Sequence, residues 1–187
     1  MAISYRRCPK CNSTDTMPIL YGEPAEYLGS YDKKVKLGGC MVSPDDKEYY
    51  CDTCENEWTK EQAIDAAYRK IKGIHAEVGG YMIHSYRAEI DLAGREVLWE
   101  KTGYMEEKFI RTIEDREAKH FISQLKLIDF LNWKSSYIEP YILDGTQWSI
   151  EVIREGRTIK KYGSNAYPTS WLLFCELLSN ITMREFG

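Results

Sequence analysis

The sequence predicts an α+β protein: a small cysteine-bearing module followed by a four-stranded antiparallel sheet with two helices on one face. Three observations predict this class. Two Cys-x-x-Cys pairs lie in the first third of the chain, a helical pattern follows them, and two strand-turn-strand-helix patterns fill the remainder. With 187 residues, 43% of them apolar, the chain is long enough for a small module and a second domain with its own core.

The two cysteine pairs predict a four-cysteine zinc ribbon over residues 1–58. Each two-residue spacer lets both sulfurs of a tight turn face one point, and four thiolates complete a tetrahedral shell with no open position. We therefore predict a structural Zn²⁺ bound by Cys8, Cys11, Cys51 and Cys54. Iron in a rubredoxin-like site uses the same four sulfurs and stays open as an alternative.

The 39 residues between the pairs are long enough to carry structure of their own. Pro18–Tyr21 and Lys47–Tyr50 have strand-like composition and are predicted to pair, with a turn at Tyr21–Pro24. Asn12 and Glu55 follow the two knuckles, where the backbone is often left-handed, and glycine would suit the second position better than glutamate.

The other two cysteines, Cys40 and Cys175, are predicted to be buried apolar thiols. For Cys40, which follows two glycines, an approach to the metal is the alternative. Because the cysteines do not form a disulfide framework and the N-terminus lacks an apolar signal segment, a reducing cytoplasm is predicted. Every apolar run is far shorter than the roughly 20 residues that span a bilayer.

Residues 59–80 are predicted to be a connector helix and linker. Thr59 and Gln62 have the spacing of a capping box, an apolar helical face follows, and the Ile74–Gly80 stretch is the predicted boundary.

Residues 81–187 are predicted to form a ββα unit used twice. The predicted strands are Tyr81–Ile90, Glu96–Thr102, Gln147–Ile153 and Arg157–Tyr162. The predicted helices run from about Glu114 to Leu131 and from about Thr169 to Asn180.

Two stretches of the chain resemble known bacterial families. The first part is similar to bacterial zinc-ribbon proteins through four motifs, at Cys8–Cys11, Pro18–Pro24, Leu37–Cys40 and Cys51–Trp58. The second part resembles a bacterial domain family of unknown function through Asp144–Trp148 and Asn165–Pro168. The resemblance implies the metal fold and does not specify an activity.

Charge and motif content favour a binding protein. The net charge is −4, and Met1 to Lys60 holds 8 Lys/Arg against 10 Asp/Glu, which opposes a nucleic-acid coat. A sheet with helices on one face leaves the other face open, and we expect an aromatic row there to dock a protein partner. That row is Tyr81, Tyr86, Trp99 and Tyr104. The predicted function is therefore an adaptor or small regulatory, immunity-type protein.

Two alternatives remain. The ribbon would bind nucleic acid if its positive residues shared one face; these are Arg6, Arg7, Lys10, Lys33, Lys34 and Lys36. A hydrolase-like enzyme would place its site near Asp144 and Asn165, although Asp-Gly is also a common turn. The common catalytic motifs are missing from the sequence, and His75, His84 and His120 lack the spacing of paired metal ligands.

Overall fold

A computed structural model describes residues 3–22, 34–80, 84–142 and 144–187. The chain divides into two compact units, Ile3–Ala67 and Tyr68–Gly187, which we call the ribbon unit and the sheet unit. Helices occur together with one four-stranded and one seven-stranded mixed sheet, so the predicted α+β class is confirmed. None of the helices in the described ranges has the length and apolar character that a bilayer crossing requires.

The ribbon unit contains a small sheet of four strands in the order β2-β1-β3-β4. The strands are β1 (Thr16–Tyr21), β2 (Lys36–Gly39), β3 (Tyr49–Cys51) and β4 (Glu57–Trp58). β1 runs antiparallel to β3 with Pro18 opposite Tyr49, which confirms the predicted pairing. β2 was not predicted; it pairs in parallel with β1. Part of the predicted Tyr21–Pro24 turn lies outside the described residues.

Helix α1 (Lys60–Arg69) begins with the capping box that the sequence predicts. The Thr59 backbone N–H donates to Gln62 Oε1 at 3.0 Å, and the Gln62 N–H donates back to Thr59 Oγ1 at 3.2 Å. These two reciprocal bonds satisfy N–H groups that have no partner within the helix.

The described residues of the sheet unit form seven strands, two α-helices and one 3-10 turn. In chain order its strands are β5 (Ile71–Gly80), β6 (Ser85–Asp91), β7 (Glu96–Thr102), β8 (Glu107–Thr112), β9 (Ser136–Ile138), β10 (Thr146–Arg154) and β11 (Arg157–Ser164). Helix α2 (Asp115–Leu127) follows β8, a 3-10 turn covers Phe130–Asn132, and helix α3 (Trp171–Thr182) follows β11. The strand order is β8-β7-β6-β5-β10-β11-β9, and β9 alone among these is parallel to its neighbour.

The predicted four-stranded sheet of two ββα units is therefore wrong in detail. Both predicted hairpins exist, as β6–β7 and β10–β11, but β5 lies between them and pairs with both. Residues 74–80, predicted to be linker, belong to this strand. Its glycines resemble helix terminators in sequence, yet Gly73 serves close packing: a Cβ there would lie 2.7 Å from the Ile90 carbonyl oxygen.

Both helices of the sheet unit cover the same face of the sheet. Trp99, Ala88, Ala76 and Ile150 are successive cross-strand partners, so their side chains share one face, and all are buried. On that face, Trp148 of β10 contacts Trp171 of α3 with ring centroids 4.7 Å apart. α2 contacts α3, and Arg111 of β8 pairs with Glu117 of α2. The packing therefore agrees with the prediction that both helices cover one face of the sheet.

Candidate metal centre

The two knuckles of the ribbon unit bring the sulfurs of Cys8, Cys11, Cys51 and Cys54 together. All four sulfur atoms lie within 4.8 Å of one another. Cys8 and Cys51 are almost fully buried, Cys54 is half-buried and Cys11 is exposed. Among the described residues, the fold thus brings four metal-ligating side chains together from two distant parts of the chain.

Matching backbone hydrogen bonds shape the two knuckles. The Asn12 N–H donates to the Cys8 carbonyl at 3.0 Å, and the Glu55 N–H donates to the Cys51 carbonyl at 2.9 Å. Each bond closes a turn that points both sulfurs of its pair inward. The residue that donates it has a left-handed backbone in both cases, with φ of 64° at Asn12 and 57° at Glu55. The predicted conformation of these two positions is confirmed.

The spacing of the sulfurs fits a tetrahedral metal ion. Four thiolates at about 2.3 Å from one Zn²⁺ must lie about 3.8 Å from each other. Across the two knuckles, Cys8 Sγ lies 3.6 Å from Cys54 Sγ, and Cys11 Sγ lies 3.5 Å from Cys51 Sγ. The donor set is therefore already close to the geometry of a closed four-sulfur site and can hold a metal ion.

Electrostatics shift the pKa values of the Cys51 and Cys11 thiols in opposite directions. Burial opposes ionisation of Cys51, but hydrogen bonds from the Cys54 N–H, the Cys11 thiol and the Thr53 N–H lower its pKa to about 7. For Cys11, the Ser13 N–H favours the thiolate, while the Cys54 thiol, burial and the remaining two thiols outweigh it and raise the pKa to about 12. A bound cation favours the thiolate form of its ligands, which is the usual linkage between metal binding and proton release.

Trp58 packs in the small core that surrounds the cysteines. It is 1% exposed and belongs to one buried cluster with Cys8, Cys51 and Ala63. Its indole N–H donates to the Tyr5 carbonyl at 2.9 Å, and its ring stacks on Tyr49. The sequence did not single out Tyr5, whose carbonyl fixes the indole in place.

A hydroxyl pair joins the two knuckles next to the sulfurs. Ser13 Oγ and Thr53 Oγ1 lie 2.9 Å apart, one contributed by each knuckle. Neither Ser13 nor Thr53 has a signal in the sequence that would indicate this contact.

Cys40 lies apart from the cluster. It is an exposed thiol beyond the end of β2, so the prediction of a buried apolar side chain is wrong. The glycines before it form the end of an edge strand, which leaves the thiol at the surface. Cys175, in contrast, is buried in α3 as predicted, and burial raises its pKa to about 12.

The geometry around Asp144 and Asn165 is that of a structural clamp. Asp144 is exposed. The Asn165 side chain accepts a hydrogen bond from the Thr146 N–H at 3.0 Å and donates to the Ile142 carbonyl at 3.5 Å. Its amide thus fixes the start of β10 against the end of β11, and the Asn165 backbone is left-handed at φ 54°.

The positive side chains of the ribbon unit are partly neutralised by neighbouring carboxylates. Lys36 pairs with Glu57 at 2.7 Å and lies over the Tyr50 ring, and Lys34 pairs with Asp52 at 3.5 Å. Lys33 lies outside the described residues. Over residues 3–67 the sequence holds 8 Lys/Arg against 12 Asp/Glu, while residues 68–187 hold 17 of each. The whole net charge of −4 therefore belongs to the ribbon unit.

The two strand members of the predicted aromatic row that the structure describes, Tyr86 and Trp99, do not lie on the open face of the sheet. Trp99 is 3% exposed on the helix-covered face, where its indole N–H donates to the Glu185 carbonyl, and Tyr86 contacts Trp99 and Phe186 there. Tyr104 is exposed beyond the end of β7, and Tyr81 lies outside the described residues. The open face instead carries charges, with Arg87 surrounded by Glu77, Glu89 and Glu100.

The sheet unit instead exposes an apolar group at its β9 edge. Ile138, Tyr141, Ile142 and Tyr162 are between 46% and 91% exposed, and we call them the β9 patch. β9 lies beside β11, and Ile138 and Tyr162 line one shallow groove of about 590 Å³ on the open face. The Glu139 N–H donates to the Ser164 carbonyl, which holds the segment after β9 against β11.

Comparison of the chain with models of known protein families finds no match, and comparison with curated proteins finds no matching relative.

Proposed function

We propose that this protein is a zinc-binding adaptor, in which a structural Zn²⁺ on Cys8, Cys11, Cys51 and Cys54 holds the ribbon unit and the chain acts through protein contacts. The observation that carries the metal assignment is the four-sulfur cluster, whose cross-knuckle distances of 3.5 and 3.6 Å approach the edge of a ZnS₄ tetrahedron. A closed shell of four thiolates leaves no position for substrate. The metal is therefore structural.

Metal analysis decides between zinc and iron, because both ions accept four thiolates in a tetrahedral shell. We expect one equivalent of zinc per chain and no visible absorption from the purified protein. One equivalent of iron, with the colour of an iron-thiolate site, would contradict the zinc assignment while keeping the four-sulfur site.

The β9 patch supports a role in protein binding. Tyr141 is 91% exposed and Ile138 is 57% exposed, and large apolar side chains grouped at a surface commonly mark protein contacts. The patch replaces the predicted aromatic row as the proposed docking surface, because Trp99 is buried and Tyr86 contacts it on the helix-covered face. A partner with an apolar side chain that fits between Ile138 and Tyr162 suits this groove.

Nucleic-acid binding is disfavoured by charge. The ribbon unit has a net charge of −4 before any metal is counted, and four thiolates with one Zn²⁺ add about two further negative charges. A phosphate track needs the opposite sign. Catalysis near Asp144 is disfavoured because the Asn165 amide is already hydrogen-bonded to the backbone.

The test is affinity capture of the tagged full chain from its native host, with and without nuclease. We expect a stoichiometric protein that survives nuclease and is lost when Tyr141→Ser and Tyr162→Ser are combined. Leu172→Ser is the matched control, because Leu172 is 80% exposed on α3 and lies outside the patch. Capture that depends on nucleic acid, or that survives loss of both tyrosines, would contradict the proposal.

A further inference from the structure

The free side of β8 is one of the two edges of the seven-stranded sheet in the part of the chain that the structure describes. β8 is the terminal strand of the described sheet, so one row of its backbone N–H and C=O groups faces away from β7. The side chains near this edge are also open to solvent. Ile110 is 50% exposed, and Tyr104 and Met105, in the preceding turn, are 95% and 65% exposed.

We propose that β8 pairs antiparallel with β8 of a second copy of the chain, so that two sheets join across a two-fold axis. This inference is independent of the metal site and of the β9 patch, which lies at the opposite end of the strand order. A symmetric pairing uses the same edge twice and removes it from solvent in both copies.

Strand alternation restricts the register of such a pair. Arg111 and Phe109 are opposite Val97 and Trp99, whose side chains are buried, so these two residues and Glu107 lie on the helix-covered face. Directly opposed residues in a sheet share a face. The two-fold axis must therefore pass through a residue position and not between two neighbouring residues. Three residues near the middle of β8 are candidates for this position: Lys108, Phe109 and Ile110.

Charge complementarity selects the register with the axis at Phe109. An axis at Lys108 sets two lysines against each other, and an axis at Ile110 leaves the charged residues of β8 opposite uncharged ones. An axis at Phe109 places Glu107 opposite Arg111 of the second copy, and symmetry makes this pair twice. Arg111 already contacts Glu117, and its five N–H donors allow a second carboxylate.

In the same register, the exposed apolar side chains of Tyr104, Met105 and Ile110 lie next to residues of the second copy. Counting outward from Phe109, Met105 faces residue 113 of the second copy, and Tyr104 faces residue 114. These two side chains would extend along the end of the neighbouring β8. On the open face, Ile110 lies opposite Lys108 of the second copy.

Sedimentation velocity of the full chain over a wide concentration range tests the proposal. We expect a reversible dimer. Glu107→Lys should weaken it about tenfold, because two opposite-charge pairs become like-charge pairs. Glu106→Lys is the control: it makes the same charge change one residue away, opposite the uncharged Thr112.

Substitutions at Ile110 provide a second test that does not disturb the core, since the side chain is half exposed. Ile110→Glu should tighten the dimer by facing Lys108 of the second copy, and Ile110→Lys should weaken it. Circular dichroism confirms that each variant is folded. A monomer at every concentration would overturn the proposal. A dimer whose affinity does not depend on the sign of the charge at position 110 would also overturn the proposal. The same holds if Glu106→Lys weakens the dimer as much as Glu107→Lys does.

Discussion

Asn12 and Glu55 occupy equivalent positions in the two cysteine knuckles. Each residue lies four positions after the first cysteine of its pair, donates its N–H to that cysteine's carbonyl, and has a left-handed backbone. The left-handed region is unfavourable for most L-residues and is tolerated by asparagine. The two knuckles therefore have the same geometry, but only the first has a side chain suited to it.

Glu55→Gly should stabilise the ribbon unit by about 1 kcal/mol, because glycine adopts this conformation without the Cβ contact. Asn12→Gly should change stability by much less. Chemical denaturation of the metal-loaded protein measures both. Equal effects at the two positions would show that the left-handed backbone is not the source of the strain.

Cys51→Ser should abolish metal binding and unfold the ribbon unit. Structural metal binding contributes on the order of 10 kcal/mol that is also folding energy, and a site with three thiolates loses most of it. Cys40→Ser is the matched control, because its thiol is exposed and lies outside the cluster. Elemental analysis and thermal unfolding give the readout. A Cys51→Ser protein that keeps its metal and its melting temperature would rule out the four-sulfur site.

Because of Lys161, the free energy of unfolding should increase as the pH rises through the alkaline range. Its ammonium is buried in the sheet unit and donates to the carbonyls of Leu131 and Trp133 at 3.3 and 2.6 Å. Burial lowers its pKa from 10.5 to about 8, and the charge of Asp129 only partly opposes this. The unfolded chain therefore binds a proton that the folded chain does not between these two values. The free energy of unfolding should rise with pH across that interval.

The predicted rise is at most about 3 to 4 kcal/mol, because the pKa of Lys161 is roughly 2.5 lower in the folded chain than in the unfolded chain. Lys161→Met should remove it, while Lys160→Met, which alters an exposed neighbour paired with Glu151, should retain it. Urea unfolding at about pH 8 and about pH 10.5, the two ends of that interval, measures the difference between the variants. A parallel pH dependence in the wild-type and Lys161→Met proteins would contradict the assignment.

Gly73→Ala should destabilise the sheet unit by about 2 kcal/mol, because its Cβ would clash with backbone and β5 and β6 would have to separate. The Cβ would lie 2.7 Å from the Ile90 carbonyl oxygen. Gly94→Ala is the control, because there the nearest atoms belong to the flexible Asp91 side chain in an exposed turn. Thermal unfolding compares the two. A smaller cost at Gly73 than at Gly94 would show that the strands yield easily.

The sequence was most informative where chemistry and spacing coincide. The Cys-x-x-Cys pairs and the Thr59–Gln62 box each specify a local geometry, and the structure has both. It was least informative for β5, because Gly73 and Gly79 look like breaks in a helix but permit close packing of neighbouring strands. Such packing depends on residues far away in the chain, and no local pattern encodes it.

The position of the aromatic side chains was also inaccessible to local reasoning. Strand periodicity places Tyr86 and Trp99 on a common face of the sheet, but it does not say which face the helices cover. That choice depends on contacts such as Trp148 with Trp171 and Trp99 with Glu185, which join residues far apart in sequence. Cys40 is a similar case, because it follows β2, a strand whose parallel pairing with β1 the sequence pattern does not indicate.

The four-sulfur cluster also determines how much the length of the segment between Cys11 and Cys51 can change. Cys11 and Cys51, whose sulfurs are in contact, are separated by 40 positions, so the intervening segment is a loop closed at its base. The entropy of closing a loop rises by only about 0.6 kcal/mol for each doubling of its length. Met41 and Val42, at 88% and 76% exposed, therefore mark a place where this protein can accept an inserted peptide or reporter without disturbing the ribbon.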